Sequence, residues 1–237
     1  MGKRIISQAR GKGGPRYRAP SSKYKGAAKH RSYTEEPVSG MVVDLVKCRG
    51  HSAPLALVEY EDQEYSLLLA PEGIRVGEMV SCGNADAQVG NTLQLKDIPE
   101  GALVYNIESA PGDGGKFCRA AGTFAKVVAR SDKMTTIQLP SKKKRDFNGS
   151  CRANIGIIAG TGISEKPLVK AGNKYYRMKI KNKLYPRVSG ASMNAVDHPF
   201  GNSRSSRKAR ARVTPKSAPP GRKVGMVGAK RTGRKKR

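Results

Sequence analysis

The sequence predicts a mostly β protein in which two small β domains are flanked by long, irregular and basic ends. Between Val38 and Val188, short apolar runs alternate with Gly, Asn and Pro about every ten residues, as in small barrels and sandwiches. No segment sustains the apolar period of a long helix. Residues 1–36 and 191–237 are rich in Gly, Pro, Ser, Lys and Arg, so alone they cannot bury enough apolar surface to fold.

Residues 37–113 form the first predicted β domain, which fits either an oligonucleotide-binding (OB) type of barrel or a sandwich. Its strands are predicted at 41–46, 55–60, 65–70, 78–82, 92–95 and 103–108. The acidic run Glu61–Glu64 separates two of them and is typical of a hairpin loop. Pro111–Gly115 marks the domain boundary as a tight turn, because it lacks the Lys-Ser/Thr ending and the helix of a phosphate-binding loop.

Residues 114–190 form the second predicted β domain, whose length fits a five-stranded barrel. A hairpin is predicted from 123–130 and 134–139, and a further strand at 153–158. Lys142–Arg145 places four basic residues on a predicted loop. The basic segment 170–186 has interleaved tyrosines and is expected to contain one short helix.

The charge of the chain is sorted by segment. The net formal charges of residues 1–34, 35–113, 114–190 and 191–237 are +10, −10, +15 and +13. A basic arm, a basic domain and a basic tail predict a nucleic-acid partner, because Lys and Arg displace condensed counterions from phosphates. The acidic domain is expected to face protein or solvent. The basic segments lack the apolar stripe of a membrane-surface helix, and the N-terminus lacks a secretion signal, so a cytoplasmic protein without membrane contact is expected.

The side chains that carry chemistry in enzymes and metal sites are sparse. The four cysteines stand more than thirty residues apart, which favours reduced thiols over a zinc site. No Ser or Cys has a general base at a recognisable spacing, and the neighbours Asp197 and His198 are poorly placed to face each other. The sequence therefore predicts neither an enzyme nor a dedicated cofactor or metal.

The arm contains aromatic and histidine side chains among its bases. Tyr17 and Tyr24 can stack on unpaired bases of RNA, or pack against the surface of the protein itself. His30 is expected to contact a phosphate or a base.

Several motifs occur in an order that identifies a family. Pro111–Arg130 reads PGDGGKFCRAAGTFAKVVAR, Cys151–Gly156 reads CRANIG, and Val188–Gly201 reads VSGASMNAVDHPFG. In this order, between a basic arm and a basic tail, they resemble the universal large-subunit ribosomal protein two family, and MNAVDHPFG is closer to its archaeal form. The resemblance covers nearly the whole chain. It departs from the family pattern at Ser189, where the family usually has Arg, and after Gly201, where Asn202 replaces a further glycine.

The resemblance implies an OB-fold-like barrel followed by an SH3-like barrel, with both ends extended into ribosomal RNA. It implies a structural constituent of the large (50S) subunit in the cytoplasm, with 23S rRNA and neighbouring large-subunit proteins as partners. It further implies contact with the 16S rRNA of the small subunit, support of subunit association, and an influence on tRNA binding and the peptidyl-transferase region. Structural Mg²⁺ ions shared with the rRNA fit this setting. We interpret His198 as an RNA-binding or loop-ordering residue, since peptide-bond formation takes place on RNA.

The residues expected to contact RNA are basic side chains of both ends and of the second domain, together with the signature segment. They are Arg4, Arg10, Lys12, Arg16, Tyr17, Arg18, Lys25, Arg119, Lys126, Lys142, Lys143, Lys144, Arg145, Arg152, Lys181, Arg187, Met193, Asn194, Asp197, His198, Arg204, Arg207, Lys208, Arg210, Arg212, Arg222 and Lys223. The alternative is a basic protein that condenses nucleic acid without specificity, which explains the charge but not the patterned β domains. A third class, an enzyme using Asp197 and His198, has the least support.

Overall fold

The computed structural model describes residues 2–34, 36–131, 133–201 and 213–231, and within these ranges the chain is mostly β, as predicted. It divides into two compact units, Ser21–Pro167 and Met1–Pro20 with Leu168–Arg237, which we call the β unit and the terminal unit. The strands of the β unit are β1 (Val38–Val46), β2 (Leu55–Tyr60), β3 (Tyr65–Leu69), β4 (Met79–Cys82), β5 (Thr92–Gln94), β6 (Leu103–Tyr105), β7 (Ala125–Arg130), β8 (Met134–Gln138), β9 (Lys144–Asn148) and β10 (Arg152–Ile155). The terminal unit contains α1 (Ile6–Gly11), α2 (Ala171–Ile180), β11 (Val213–Thr214) and β12 (Met226–Val227).

All ten strands of the β unit form one continuous sheet in the order β3-β2-β1-β4-β5-β10-β6-β7-β8-β9. The predicted hairpin around Glu61–Glu64 is confirmed by the antiparallel pairing of β2 with β3. A single parallel bridge between Cys82 and Thr92 joins β4 to β5. We call β1–β4 the first lobe and β5–β10 the second lobe.

Buried and exposed side chains alternate along the strands of the first lobe, as expected for a sheet with one buried face. Val42, Val58 and Val80 are buried. Met41 and Met79, which directly precede Val42 and Val80, are exposed. Gly40 lies against the side chains of Val58 and Tyr60, and a Cβ at this position would come within 2.7 Å of both. The absence of a side chain at residue 40 therefore lets β1 and β2 pack closely.

The two cores divide at residues 83–91 and not at the predicted boundary after residue 113. Leu93, Leu95 and Val104, which were assigned to the first domain, pack with Val127 and Ile137 in the core of the second lobe. The reason is that β10 pairs with both β5 and β6 and draws them away from the first lobe.

The segment Pro111–Gly115 is consequently a turn within the second lobe and not a linker between domains. The carboxylate of Glu108 accepts hydrogen bonds from the backbone N–H of Gly112 (3.3 Å) and Gly114 (3.1 Å). The carboxylate of Asp113 accepts one from Gly115 (3.1 Å). These hydrogen bonds hold the turn in place through the backbone N–H groups of its glycines.

Two further elements differ from the prediction. Lys144–Asn148 is a strand where Lys142–Arg145 was predicted to be a loop; at the edge of the sheet a strand tolerates exposed charges on either face. The arm contains the helix α1, which begins where the side-chain oxygen of Gln8 accepts the N–H of Ile5 (3.0 Å). The one short helix predicted within 170–186 is confirmed as α2.

Residues 24–31 were predicted to belong to the basic extension, but they form a strap on the β unit. The N–H of Lys29 donates to the carbonyl of Leu67 (3.2 Å), and the N–H of His30 donates to that of Gly114 (3.4 Å). Ala28 is buried in a small apolar cluster that also contains Leu55. The backbone of the strap thus forms hydrogen bonds with both lobes. The predicted extension 1–36 is therefore divided after residue 20, and its second part belongs to the β unit.

Candidate nucleic-acid interface

The outer face of the second lobe carries a row of exposed polar and basic side chains. Lys126 of β7 pairs with Gln138 of β8, which in turn pairs with Lys144 of β9. Directly paired residues project from the same face of a sheet, and the next residues along, Val127 and Ile137, are buried on the opposite face. With a strand spacing of about 4.8 Å, the two lysines lie about 10 Å apart across three strands.

The turn between β8 and β9 extends this face. Lys142 and Lys143 are exposed, and the turn is closed by the N–H of Lys142 donating to Leu139 (2.8 Å) and by the N–H of Leu139 donating to Lys143 (3.0 Å). Together with Lys126 and Lys144 they form what we call the basic face. Within the described contacts these four side chains pair with no carboxylate.

Arg145 lies at the rim of the same lobe and is held in place by aromatic rings. Its guanidinium carbon lies 4.7 Å from the ring centre of Phe117 and 5.2 Å from that of Phe147. The residue is nevertheless exposed. Cation–π contacts orient the planar group without occupying all of its five N–H donors, so Arg145 is preorganised to bind an anion.

Arg152, which was predicted to contact RNA, is buried, and its side chain is used inside the protein. Its Nη2 lies 2.9 Å from Oε1 of Glu108, and its Nη1 donates to the carbonyl of Arg31 (2.7 Å). The Arg152 side chain is 4% exposed and that of Glu108 is 0% exposed. Burial raises the pKa of the Glu108 carboxyl, but the hydrogen bonds from Arg152 outweigh burial, and the net pKa is lowered. Arg152 is a structural ion-pair partner that also anchors the strap.

Arg119 is likewise used within the protein. Its Nη1 donates to the carbonyl of Gly115 (2.6 Å) and its Nη2 to the carbonyl of Ala28 (2.5 Å). Half-buried in this position, it joins the strap to the turn after Glu108. Two backbone carbonyls therefore take two of its five N–H donors, and Arg119 has a structural role inside the protein in addition to the predicted RNA contact.

The strap also contains a clamped arginine, Arg31, whose role the sequence did not indicate. Its Nη2 lies 2.5 Å from Asp62 and 3.3 Å from Glu64, and its guanidinium carbon lies 4.6 Å from the ring centre of Tyr60. The pKa of Asp62 is lowered, chiefly by the hydrogen bond from Arg31. The acidic hairpin loop thus binds Arg31 of the strap. The expected contact of this acidic region with other proteins or with solvent is a separate prediction.

His30 does not contact solvent as an RNA ligand would, so this expectation is also corrected. The residue is buried, and its Nε2 lies 2.7 Å from the backbone carbonyl of Asn106. Burial lowers the pKa of His30 to about 4. The imidazole is therefore neutral near pH 7 and donates its Nε2 proton to Asn106.

In the terminal unit, predicted residues from distant parts of the sequence surround common cavities. One cavity of about 500 Å³ is lined by seven of the predicted RNA contacts. These are Arg10, Arg16, Tyr17, Arg187, Met193, Asp197 and His198. A second cavity of about 430 Å³ is lined by Arg4, Arg222 and again His198. The sequence contained no spacing that could have predicted this grouping.

The signature segment 190–201 is ordered by its own contacts. Asn194 accepts backbone hydrogen bonds from Asp197 (3.0 Å) and His198 (3.2 Å), and Nδ1 of His198 accepts the N–H of Phe200 (3.0 Å). Gly190 lies directly against the His198 ring, where a Cβ would collide with it. While Nδ1 accepts this bond, the single proton of a neutral ring is on Nε2.

Asp197 does not orient His198. Its carboxylate lies 4.0 Å from Nζ of Lys3, and both side chains are largely exposed. Without a carboxylate on Nδ1, His198 lacks the orientation that a general base receives in a catalytic triad. The geometry supports the loop-ordering role interpreted from the sequence.

The other predicted residues are placed as follows. Lys12, Arg18, Lys25, Lys181, Asn194 and Lys223 are exposed. Arg204, Arg207, Lys208, Arg210 and Arg212 lie outside the described residues. All four cysteines are free thiols, and Cys48, Cys82 and Cys151 are buried. In the described part of the chain no three His, Cys, Asp or Glu side chains come together as metal ligands would, and no described helix is long and apolar enough to cross a membrane.

Comparisons with known proteins agree with this geometry. Residues 2–82 match the family model of the ribosomal proteins L2, RNA binding N-terminal domain, and residues 88–218 match the ribosomal proteins L2, C-terminal domain. The gap between the two matches coincides with the division between the two cores. These two domains fit the observed OB-like and SH3-like arrangement.

Curated relatives are similar over almost their whole length. The chain is 49% identical to the large ribosomal subunit protein uL2 of Methanopyrus kandleri, over 99% of this chain and 98% of the relative. It is 49% identical to the protein of that name from Archaeoglobus fulgidus, over 98% and 99%. It is 48% identical to that from Halorubrum lacusprofundi, over 99% and 98%. With both domain models matched in order and full-length archaeal relatives, the chain belongs to the ribosomal protein L2 family.

Proposed function

We propose that this protein is a structural constituent of the large ribosomal subunit that binds 23S rRNA in the ribosomes of the cytoplasm. The observation that carries the proposal is the sorting of the cations in the structure. Arg31, Arg119 and Arg152 are held by buried or half-buried protein acceptors, whereas the lysines of the basic face pair with no carboxylate among the described residues. Of the basic residues that line the terminal cavities, Lys3 lies near Asp197 and Arg10 donates to the carbonyl of Asn182, while Arg4, Arg16, Arg187 and Arg222 pair with no carboxylate in the described part of the chain. Exposed bases without protein partners are available to neutralise phosphates.

The basic face supplies the sequence-independent part of this binding. A row of Lys side chains on a rigid sheet neutralises phosphates without folding cost, because the sheet is already ordered by its core. The strap keeps the two lobes in a single arrangement, because Arg31 is held by Asp62 and Glu64 and its carbonyl accepts a hydrogen bond from Arg152. Mg²⁺ ions shared with the rRNA would complement the basic side chains where phosphates crowd.

The terminal unit supports the finer part of the proposal. Bases from residues 4–16, 187 and 222 surround the self-ordered loop 190–201, so an RNA that enters would meet cations on several sides. We assign to this unit the contribution to the peptidyl-transferase region, to tRNA binding, and to association with the small subunit and its 16S rRNA. In this assignment His198 orders the loop through Nδ1 and offers its Nε2 proton to an RNA acceptor.

The acidic first lobe fits neighbouring large-subunit proteins as partners. Met79, Met41, Glu59 and Tyr65 form one row across β4, β1, β2 and β3, and the Tyr65 hydroxyl donates to the Glu59 carboxylate. Met79 is 58% exposed, Met41 45% and Tyr65 56%. An apolar row with a carboxylate favours a cationic protein surface and disfavours a phosphate backbone.

Sedimentation of a gentle lysate with and without ribonuclease tests the proposal. We expect the protein to migrate with large subunits at one copy per particle and to leave that position after extensive ribonuclease treatment. A non-specific condensing protein would instead spread across the gradient and be titrated away by excess bulk nucleic acid. An enzymatic role for His198 would require that His198→Ala abolish peptide-bond formation in reconstituted particles, and we expect this variant to retain it.

A further inference from the structure

A shallow dent lies on the first lobe where the strap passes the loop after β1. It has a volume of about 410 Å³ and is lined by Ser21, Tyr24, Gly26, Ala27, Gly50 and His51. Its floor is made of glycine and alanine, so backbone atoms are accessible there. Its two ring systems are the phenol of Tyr24 and the imidazole of His51.

The Tyr24 ring is fixed by close packing against the loop. A Cβ built on Gly50 would lie 3.0–3.1 Å from three atoms of this ring, so the ring face rests on the glycine backbone. Tyr24 also packs against the apolar cluster around Ala28 and Leu55. A fixed aromatic wall loses little entropy when a second flat group stacks beside it.

The rim of the dent is basic although the lobe as a whole is acidic. Lys23, Lys25 and Arg49 are exposed neighbours of the lining residues. Residues 21–34 and 45–58 contain no acidic residue. The carboxylates of the first lobe lie in other segments, so the residues that line this depression are flanked in sequence by exposed cations and by no carboxylate.

Burial lowers the pKa of His51, and the charge of Arg119 lowers it further. The imidazole is therefore an uncharged ring near pH 7. An uncharged ring suits a nucleobase, which has a flat π face and hydrogen-bonding edges, better than it suits a phosphate.

We infer that this dent binds an unpaired nucleobase of the rRNA, with Lys23, Lys25 and Arg49 on the phosphates that flank it. The inference rests on the proposed function and specifies how the first lobe takes part in it. Ring walls, a floor without large side chains and a cationic rim are the combination by which proteins bind single-stranded nucleic acid. With this inference the two interpretations of Tyr24 are compatible, because its ring packs on the protein and also lines the site for RNA.

A variant that fills the dent without changing charge tests the inference. Ala27 is exposed and lines the dent, and Ala87 is an exposed alanine on the loop after β4 that serves as a matched control. We expect Ala27→Leu to weaken binding of the full-length protein to a 23S rRNA transcript about tenfold, and Ala87→Leu to leave it unchanged. Thermal unfolding of both variants, without RNA, should match that of the wild type.

The salt dependence of binding separates base contact from phosphate contact. Ala27→Leu should leave the slope of log affinity against log salt unchanged, because no cation is removed. Lys25→Ala should reduce the magnitude of that slope by about 0.7–0.9, the contribution of one phosphate. Equal affinities of the Ala27→Leu and Ala87→Leu variants would overturn the inference, and so would a changed slope for Ala27→Leu.

Photo-crosslinking gives a second, independent test. With 4-thiouridine-labelled rRNA and the wild-type protein, we expect an adduct on the peptide that contains Tyr24 or on that which contains His51. Adducts on peptides of the basic face, but on neither of these, would contradict the inference while leaving rRNA binding intact. Absence of adducts everywhere, together with loss from large subunits on a gradient, would instead contradict the proposed function.

Discussion

The strap network and the basic face use cationic side chains for opposite purposes. By the strap network we mean Arg31, Arg119 and Arg152 together with the protein acceptors that hold them. In the strap network Arg31 and Arg152 are buried, and each lies within hydrogen-bond distance of carboxylates. On the basic face Lys126, Lys142 and Lys144 are exposed and pair with no carboxylate in the described structure. The buried cations are arginines, whose planar group can hold several acceptors at once, and the exposed ones are lysines; the partners differ as well. A basic residue of such a chain serves folding where a carboxylate from a distant loop meets it, and remains available to RNA where none does.

This comparison explains why a protein of net charge +28 retains a folded β unit. Cations of like sign repel one another in the absence of RNA. Residues 35–113 carry fourteen of the eighteen carboxylates, and three of these, Asp62, Glu64 and Glu108, lie on the guanidinium groups of Arg31 and Arg152. Residues 35–113, the acidic segment of the chain, therefore stabilise the junction between the two lobes of a protein that is basic overall.

The largest effect is expected from breaking the buried pair of the strap network. Arg152→Ala would leave the Glu108 carboxylate buried without its charged partner and would free the carbonyl of Arg31. We expect it to lower the free energy of unfolding by about 3–5 kcal/mol, as is usual when one partner of a buried ion pair is removed. Urea denaturation of the RNA-free protein measures it. The matched variant on the basic face, Lys126→Ala, should change stability by less than about 0.5 kcal/mol. Equal stabilities of the two variants would remove the distinction between the regions.

The next effect is a dependence of stability on pH that comes from His30. Its pKa is about 4 in the folded protein and 6.5 when unperturbed, so between these values the unfolded chain binds a proton that the folded chain does not. The contribution of His30 to the free energy of unfolding is therefore fully present above about pH 6.5. It is lost as the pH falls towards 4, and the loss amounts to about 3 kcal/mol. The carboxyl of Glu108, whose pKa is lowered from 4.5, adds its own loss as the pH falls below about 4.5.

Unfolding measured at pH 7, 5.5 and 4 tests the His30 effect. His30→Gln can still donate to the carbonyl of Asn106 but does not titrate, so between pH 7 and 5.5 its stability should fall clearly less than that of the wild type. The remaining fall comes from His51, whose pKa is also lowered. A parallel decline in both proteins would assign the pH dependence to other groups.

The parts of the fold set by local pattern were predictable from the sequence, and those set by distant pairing were not. The alternation in 55–60 and 65–70 and the acidic residues between them predicted the β2–β3 hairpin. The insertion of β10 between β5 and β6 joins residues about 60 and 50 positions apart, and no local pattern encodes it. The boundary at residue 113 was therefore placed too late. The strand β9 was read as a loop because, of Lys144–Asn148, only Phe147 is apolar.

The candidate site shows the same limit. Sequence reasoning selected bases by composition, and it could not distinguish Arg145 from Arg152 because their partners are remote in the chain. Arg152 is paired with Glu108, 44 residues before it, and Arg145 is stacked on Phe117. One sequence signal was present, since Arg152 lies within a run that continues Ala-Asn-Ile and forms a fully buried strand. A basic residue inside a buried strand requires an internal counter-charge, and that rule would have singled it out.

A smaller effect is expected on RNA affinity from single residues of the basic face. Lys126→Ala and Lys144→Ala should each weaken binding to 23S rRNA by a few-fold at moderate salt and reduce the salt slope by about 0.7–0.9. The double variant should be additive, because the side chains lie about 10 Å apart across the sheet. Filter binding over a range of salt concentrations measures this. Unchanged slopes would show that the basic face is not in contact with phosphates.

The smallest effect is expected in oxidation of methionines, and it compares the partners of the two lobes directly. Met41 and Met79 lie on the acidic row of the first lobe, and Met134, on β8, lies in the basic second lobe; all three are exposed in the free protein. In large subunits treated with hydrogen peroxide, we expect each to be oxidised a few-fold more slowly than in the free chain. Limited ribonuclease digestion should restore oxidation of Met134, because RNA covers that lobe. Met41 and Met79 should stay protected, because an acidic, apolar row binds a cationic protein surface that ribonuclease does not remove. If ribonuclease exposed all three methionines alike, the row that contains Met41 and Met79 would also face RNA, and the charge of that row would not determine its partner.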